Sequence, residues 1–455
     1  MSASTYTSHS PDSMEQSNLN FFQLAAIQLK IRLNAGISFP VTSPGTIASL
    51  WYRTIATHGA HLQIGLARLS SEPSKARPII VRQPLKTTAG ASTKLNFAPP
   101  VIVPFQGKCL DQLVAENLYP NQDLPVTGPA LLYIFTNEQE QAAAMVVNVC
   151  AALWDATTIR NILNTFMKLL ESQTSVISNP PSTKDLYTQL GGWERYVQER
   201  ADQSTPDPLF LPMGEDNEHI VGIAEILCGS PASSEKDRRV SVVLELETVT
   251  GCQKVVDHCD LSLSSLIGAS FLYALVEIYF RTYPEKSIIT LVQSTQIDPR
   301  TMLGDNERNY VHAVGVLYHA TTVTRDGMEC QSVVEWLIEE VKRSDRNKQT
   351  RLDRGEGLHR TLEVATGQID PAQRAVPCLE FVYHGMYETP TKDYEVSLGH
   401  RLDICPHTSI VMHRERASGL MKIEAQIGKE QGHEATLQWL DRCKELWKEV
   451  ATTSL

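Results

Sequence analysis

The residues that could do chemistry gather most closely in "VVNVCAALWDATTIRNILNTF", residues 146–166. An apolar run leads to Asp155, and an amphipathic helical pattern starts directly after it. This is the outline of a catalytic strand-turn-helix, yet Ala151 stands four residues before the aspartate, where a base would be expected. Cys150 is a possible nucleophile, but strand alternation turns it away from the Ala151 face, and a small buried thiol is the simpler reading. Thirteen histidines leave room for a base elsewhere. His384, in "EFVYHGMY", is the first to test, and His312 and His319 flank another strand; histidines are often half-buried without any role. "GCQKVVDHCDLS" (251–262) collects Cys252, Asp257, His258, Cys259 and Asp260, but a zinc site needs a second cluster. Helix capping by Asp260 is the better account, and no metal is expected. No GxSxG, HExxH, P-loop or post-strand GxGxxG appears, which removes common hydrolase, zincin, ATPase and dinucleotide readings.

These residues sit in an ordinary globular composition, 42% hydrophobic and 20% charged over 455 residues, long enough for two or three domain-sized units. A formal charge of −11 argues against a phosphate-tracking surface, so no nucleic-acid partner is expected. Basic residues in 325–354 are interleaved with acids, as on a solvated helix. No apolar run reads as a membrane span, which takes roughly 20 residues. The start, "MSASTYTSHSPDSMEQSN", has no apolar core of a signal peptide and reads as a disordered tail over residues 1–19. Nine scattered cysteines without CxxC spacing suggest reduced thiols and a cytoplasmic protein.

The elements that must position the candidates alternate between strand and helix. Ile47, Leu50, Trp51 and Ile55 recur at helical spacing in 42–59, and 61–69 alternates as a half-buried strand. Residues 70–130 are loop-rich, with a β-like piece at "PPVIVPF". Residues 130–154 read as two strands joined by a polar turn at Asn137–Gln141. The second is apolar on both faces and therefore central in a sheet. After Asp155, Ile159, Ile162, Leu163, Phe166, Leu169 and Leu170 form one stripe. A Ser/Pro/Thr connector and a Trp/Tyr-containing helix over 186–200 mark a boundary. The second half brings a strand at 238–247 and a long buried helix at 262–282, capped by Asp260 or Ser262. Strands at 286–300 and 312–323, a helix near 329–345, and strands at 378–387, 409–415 and 420–427 follow. A final helix carries Leu437, Leu440, Cys443, Leu446, Trp447 and Val450. Strands mixed with helices in both halves predict α/β or α+β layers.

The helix-strand pair near the start, the apolar strand ending in x-x-x-Asp before a helix, and an Asp-x-Arg after a strand 145 residues on come in a familiar order. The chain resembles the CoA-dependent acyltransferase superfamily, which includes peptide-synthetase condensation domains and fungal alcohol or trichothecene acetyltransferases. The resemblance implies two similar chloramphenicol-acetyltransferase-like domains, each a mixed sheet with flanking helices. It places them at 20–185 and 219–455, joined by a connector at 186–218, with a tunnel between them. It also implies the motif HHxxxDG, whose second histidine is the general base and whose aspartate pairs with an arginine of the other domain. Here Cys150 and Ala151 replace the histidines, Ala156 replaces the glycine, and Asp155 survives; its expected partner is Arg300. The condensation-domain motif DFGWG has no clear counterpart in "DYEVSLGHRLDI" (393–404), which speaks against a peptide-synthetase role.

Ala151, Trp154, Tyr383 and His312 are expected to contact an apolar small-molecule substrate, although Trp154 is equally a core anchor. Three functions stay open. The scaffold binds an intermediate of specialised metabolism and catalyses a cyclisation or pericyclic step by shape, with no cofactor. It remains an acyltransferase, using CoA and a relocated base such as His384. Or it is a non-catalytic binder.

Overall fold

The computed structural model describes residues 15–18, 32–57, 64–68, 78–82, 99–105, 107–117, 130–150, 154–172, 220–233, 238–297, 315–353, 379–401, 408–428 and 430–453 of the chain. The first half runs β1 (Glu15–Asn18), β2 (Arg32–Thr42), α1 (Pro44–Thr57), β3 (Ile64–Arg68), β4 (Pro78–Arg82), β5 (Val101–Pro104), α2 (Leu110–Asn117), β6 (Ala130–Thr136), β7 (Ala142–Cys150) and α3 (Ala156–Ser172). The second runs α4 (Ile223–Ile226), β8 (Arg239–Leu244), α5 (Leu246–Cys259), α6 (Leu263–Thr282), β9 (Ile288–Ile297), β10 (Gly315–Thr324), α7 (Arg325–Glu329), α8 (Val333–Asp353), β11 (Leu379–Tyr387), β12 (Glu395–Arg401), β13 (Thr408–Glu415), β14 (Met421–Gln426) and α9 (His433–Thr452). Residues 15–18, inside the stretch read as a tail, pair with β4. The helix expected over 186–200 lies outside the described residues.

Two mixed sheets carry the molecule. The N-terminal sheet has the order β12-β2-β7-β6-β5, with β7 in the middle as its two apolar faces require. Asn137 closes the β6–β7 turn by accepting from the backbone of Gln139 and Gln141 at 3.1 and 2.9 Å. On one face α1 and α3 bury Ile47, Trp51, Ile55, Ile159, Ile162 and Phe166. On the other, α2 sets Leu110, Leu113 and Val114 against Ala144 and Val146. That approach depends on Gly36 in β2, where an added Cβ would lie 2.5 Å from Val114 Cγ2.

The C-terminal sheet has the order β10-β9-β11-β13-β14-β8, its strands mixed in direction. Ile410, Met412, Met421, Ile423 and Ala425 join the residues of α5, α6, α8 and α9 in one core. The 20-residue α6 is long and apolar enough to cross a membrane by composition, but 78% of that window is buried against this core. In α9 the side chain turned inward is Trp439, fully buried with its indole N–H on Phe271 O; Leu437, expected on the stripe, is 37% exposed.

Two further expectations change. The acid-and-cysteine cluster of 251–262 forms the end of a helix, α5, that charge and thiol clustering concealed. Cys252 is buried there, its thiol donates to Trp447 O, and desolvation raises its pKa to about 12. Asp260 ends α5 as a left-handed C-cap with φ 54°, while Ser262 caps α6 by accepting from Ser265 N at 3.0 Å. The segment "DYEVSLGHRLDI" holds β12, which leaves the C-terminal half and pairs antiparallel with β2, Val396 opposite Ile37 and Leu398 opposite Ala35. The N-terminal sheet is therefore completed by a strand from late in the chain.

Candidate functional site

Within 146–166 the strand to Cys150 and the helix from Ala156 form as the pattern predicts, while residues 151–153 lie outside the described residues. Asp155 is 2% exposed; its Oδ1 accepts from Thr158 N and its carbonyl from Ile159 N, each at 3.0 Å, so it caps α3. Trp154 is 1% exposed, packed 6.3 Å from Trp51, with an indole N–H that meets no acceptor among the described residues. It occupies a core position. Ala151, Arg300 and His312 lie outside the described residues, so the expected Asp155–Arg300 pair does as well.

His384 sits on β11 where the sheet opens. Beyond Phe381, β11 has no recorded register with β9, and its pairing with β13 shifts between Tyr383 and Met386. Among the described residues, side chains of α3 are what meets the β11 backbone there. Arg160 Nη1 donates to His384 O at 2.9 Å, and Asn164 accepts from Glu388 N at 2.9 Å while reaching Met386 O. Gly385 makes the approach possible: its φ is +83°, and a Cβ there would run into Arg160 Nη1. The His384 ring is buried, 3.4 Å from the Tyr387 hydroxyl, and Tyr387 meets the His413 ring edge-to-face at 5.4 Å. Burial pushes the Tyr387 phenol well above its usual pKa. Tyr383, one residue earlier, is 45% exposed, and strand alternation sets it on the face opposite His384.

The reciprocal arrangement holds β12. Pairing with β2 leaves alternate backbone groups of β12 pointing outward, and side chains of the C-terminal sheet satisfy them. Glu415 accepts from Val396 N at 2.9 Å. Lys422 Nζ and His413 Nε2 meet Val396 O at 3.0 and 3.2 Å. Arg239 donates to Leu398 O at 2.6 Å, Ser397 Oγ at 3.0 Å, Asp111 O at 2.9 Å and Glu424 at 2.8 Å. Lys422 also pairs with Glu395 at 2.6 Å and Glu415 at 3.5 Å. Among the described residues, each half thus meets strand backbone of the other with polar side chains, α3 at β11 and the C-terminal sheet at β12.

Electrostatics follow from burial. Desolvation holds the His413 imidazole well below the usual histidine range, reinforced by Lys422, His384 and Arg239. With Nε2 facing a carbonyl, the neutral ring carries its proton there, and Nδ1 has no partner among the described residues. Desolvation likewise raises Glu424, against the pull of Arg239.

The chemistry of this seam is positional: it ties α3 to β11 and β12 to the C-terminal sheet, while neither Asp155 nor His384 stands open to solvent. Arg160, Arg239, His413, Glu415, Lys422 and Glu424 escaped the sequence reading. Their signal was present in "MKIEAQ", where charges alternate with apolar residues; that pattern equally describes a half-exposed strand. Here β14 lies between β13 and β8, with Lys422 4% and Glu424 3% exposed.

No family model matches the chain, and no curated protein matches it in sequence. Solved structures do match across nearly the whole length. The first condensation domain of the calcium-dependent antibiotic synthetase aligns with TM-score 0.64 at 14% identity, covering 96% of this chain and 97% of that one. Polyketide synthase associated protein 5 from Mycobacterium tuberculosis aligns at 0.58 and 12%, covering 96% and 98%. Trichothecene 15-O-acetyltransferase TRI3 from Fusarium sporotrichioides aligns at 0.59 and 11%, covering 96% of each. The chain has the fold of condensation domains and of the trichothecene acetyltransferase.

Proposed function

We propose that this protein uses an acyltransferase scaffold for chemistry other than acyl transfer. It binds an apolar intermediate of secondary metabolism between its two sheets and promotes a cyclisation or pericyclic step. The observation that carries this reading is Ala151 at the place of the family's base, while Asp155 still caps α3 and Trp154, Asp155 and Ala156 are buried. Removing a general base typically costs an acyl transfer about 10²–10⁴-fold. A template reaction loses nothing by it, since holding a flexible substrate in its reactive conformer and excluding water supply the rate. Alanine also leaves room for a bulkier ligand. The names of the structural neighbours, from polyketide-associated, peptide-antibiotic and trichothecene systems, support a biosynthetic setting.

Native mass spectrometry of the purified protein, with turnover assays using acetyl-CoA and alcohol acceptors, tests the reading. Retention of an apolar metabolite, no CoA adduct and no acyl product are expected. Acetyl transfer abolished by His384→Ala would instead establish the acyltransferase reading. An empty protein that binds neither class of small molecule would indicate a non-catalytic role.

A further inference from the structure

Three polar groups beside the β11 bulge take no carboxylate partner among the described residues. Tyr383 lies opposite Met412 in register, so Arg414 is two residues along the adjacent strand and on the same face. Phe381 and Met412 mark that face, since both belong to the core under the helices. Arg160 arrives from α3, its Nη1 standing where a side chain of residue 385 would project, two residues beyond Tyr383. Arg160 is anchored by His384 O, whereas the enclosed Nε of Arg414 has no acceptor, and among the described residues neither guanidinium meets a carboxylate. Both cations act on the Tyr383 hydroxyl, opposing the rise that desolvation gives its pKa.

Two neighbouring guanidinium groups that meet no carboxylate among the described residues repel each other, and a desolvated N–H without an acceptor is costly. In a chain of net charge −11, with carboxylates in excess, their lack of a counter-charge among the described residues is unexpected for a purely structural pair. We propose that Tyr383, Arg160 and Arg414 form a binding site for an oxyanion, a phosphate or carboxylate group. The anion accepts charge-assisted hydrogen bonds from the two arginines and one from the phenol, satisfying the Arg414 Nε. The site lies on the sheet face opposite His384 and does not rest on the catalytic reading above.

The full-length protein is titrated with inorganic phosphate, phenyl phosphate and sodium acetate at constant ionic strength set by chloride, with thermal midpoint and calorimetry as readouts. A saturable midpoint rise with at least one anion is expected. Arg414→Met weakens that anion by about tenfold or more, the loss of one charge-assisted contact. Tyr383→Phe weakens it by a smaller factor. Without anion, Arg414→Met keeps or raises the wild-type midpoint, because it removes repulsion and an unsatisfied donor. Preference for phosphate over acetate identifies the group, and tighter phenyl phosphate binding identifies a ligand body beyond it. No saturable response to any of the three, an unchanged affinity in Arg414→Met, or a lowered anion-free midpoint in that variant would overturn the proposal.

Discussion

Arg239→Met removes the guanidinium that joins four elements, β8, β14, β12 and α2. The arginine side chain is 10% exposed and Glu424 3%, so solvent screens the pair little. Breaking such a pair from one side leaves a buried charge and costs about 3–5 kcal/mol. Three further acceptors, Asp111 O, Ser397 Oγ and Leu398 O, lose a donor at the same time. Because desolvation already raises the Glu424 pKa, the carboxyl can take up a proton, which limits the loss; a cost of about 4 kcal/mol is expected. In the double variant Arg239→Met/Glu424→Leu the stranded charge is gone, and only the unmet neutral acceptors remain, so roughly half the loss is recovered. Urea unfolding followed by tryptophan fluorescence reads both lobes, since Trp51 and Trp154 lie in the N-terminal core and Trp439 and Trp447 in the C-terminal one. The single variant is expected to lower the midpoint and to separate the transitions of the two lobes. A cost under about 1 kcal/mol, or a double variant no more stable than Arg239→Met, would refute the assignment of the seam as an ionic joint.

Other expectations follow from the same geometry. His413 has a folded pKa below its unfolded value near 6.5, so its contribution is complete above that pH and is lost on acidification, by about 1.4 kcal/mol per pH unit. Glu424, raised in the fold, acts with the opposite sign from about pH 4.5 upward, so the His413 share is read as the difference between wild type and His413→Leu in denaturation at pH 5 to 7.5. Equal pH slopes for the two proteins would contradict it. Gly385→Ala forces a non-glycine residue to φ +83° and expels Arg160 from His384 O, an expected loss of about 2–3 kcal/mol by thermal unfolding. Gly251→Ala gains about 1 kcal/mol of helix propensity, but its Cβ would lie 2.6 Å from Ala451 O and 2.7 Å from Ala451 Cα. Separating α5 from α9 costs more, so net destabilisation of about 1–2 kcal/mol is expected.

Much of the architecture was legible because burial and periodicity coincide. The apolar run of β7, the stripe of α3 and the all-round apolar α6 each have one stable placement. The strand β2 was hidden by Asn34, Gly36 and Pro40 in "RLNAGISFPVT", residues that read as loop punctuation. Gly36 is there for close packing under Val114, and Asn34 donates to Val114 O. The helix α5 was hidden because its last turns carry residues that resemble a metal site. The seam was illegible for a deeper reason: Lys422, Glu424, His413 and Arg239 are charged or polar as surface residues are. Only the long-range placement of β12, set by pairing with β2 about 360 positions away in sequence, encloses them.

The late arrival of β12 also orders events during synthesis. A ribosome that has made residues 32–172 has made β2, β7, β6, β5 and their covering helices, yet β2 still presents an unpaired edge. That edge closes only after Glu395–Arg401 has been made, by which time four of the six strands of the C-terminal sheet, β8 to β11, have been made and β13 and β14 are still to come. A fragment ending before residue 395 is therefore expected to expose a ready template for strand addition and to aggregate, however complete its own core. The first lobe cannot be released as an independent unit, and the two halves mature together.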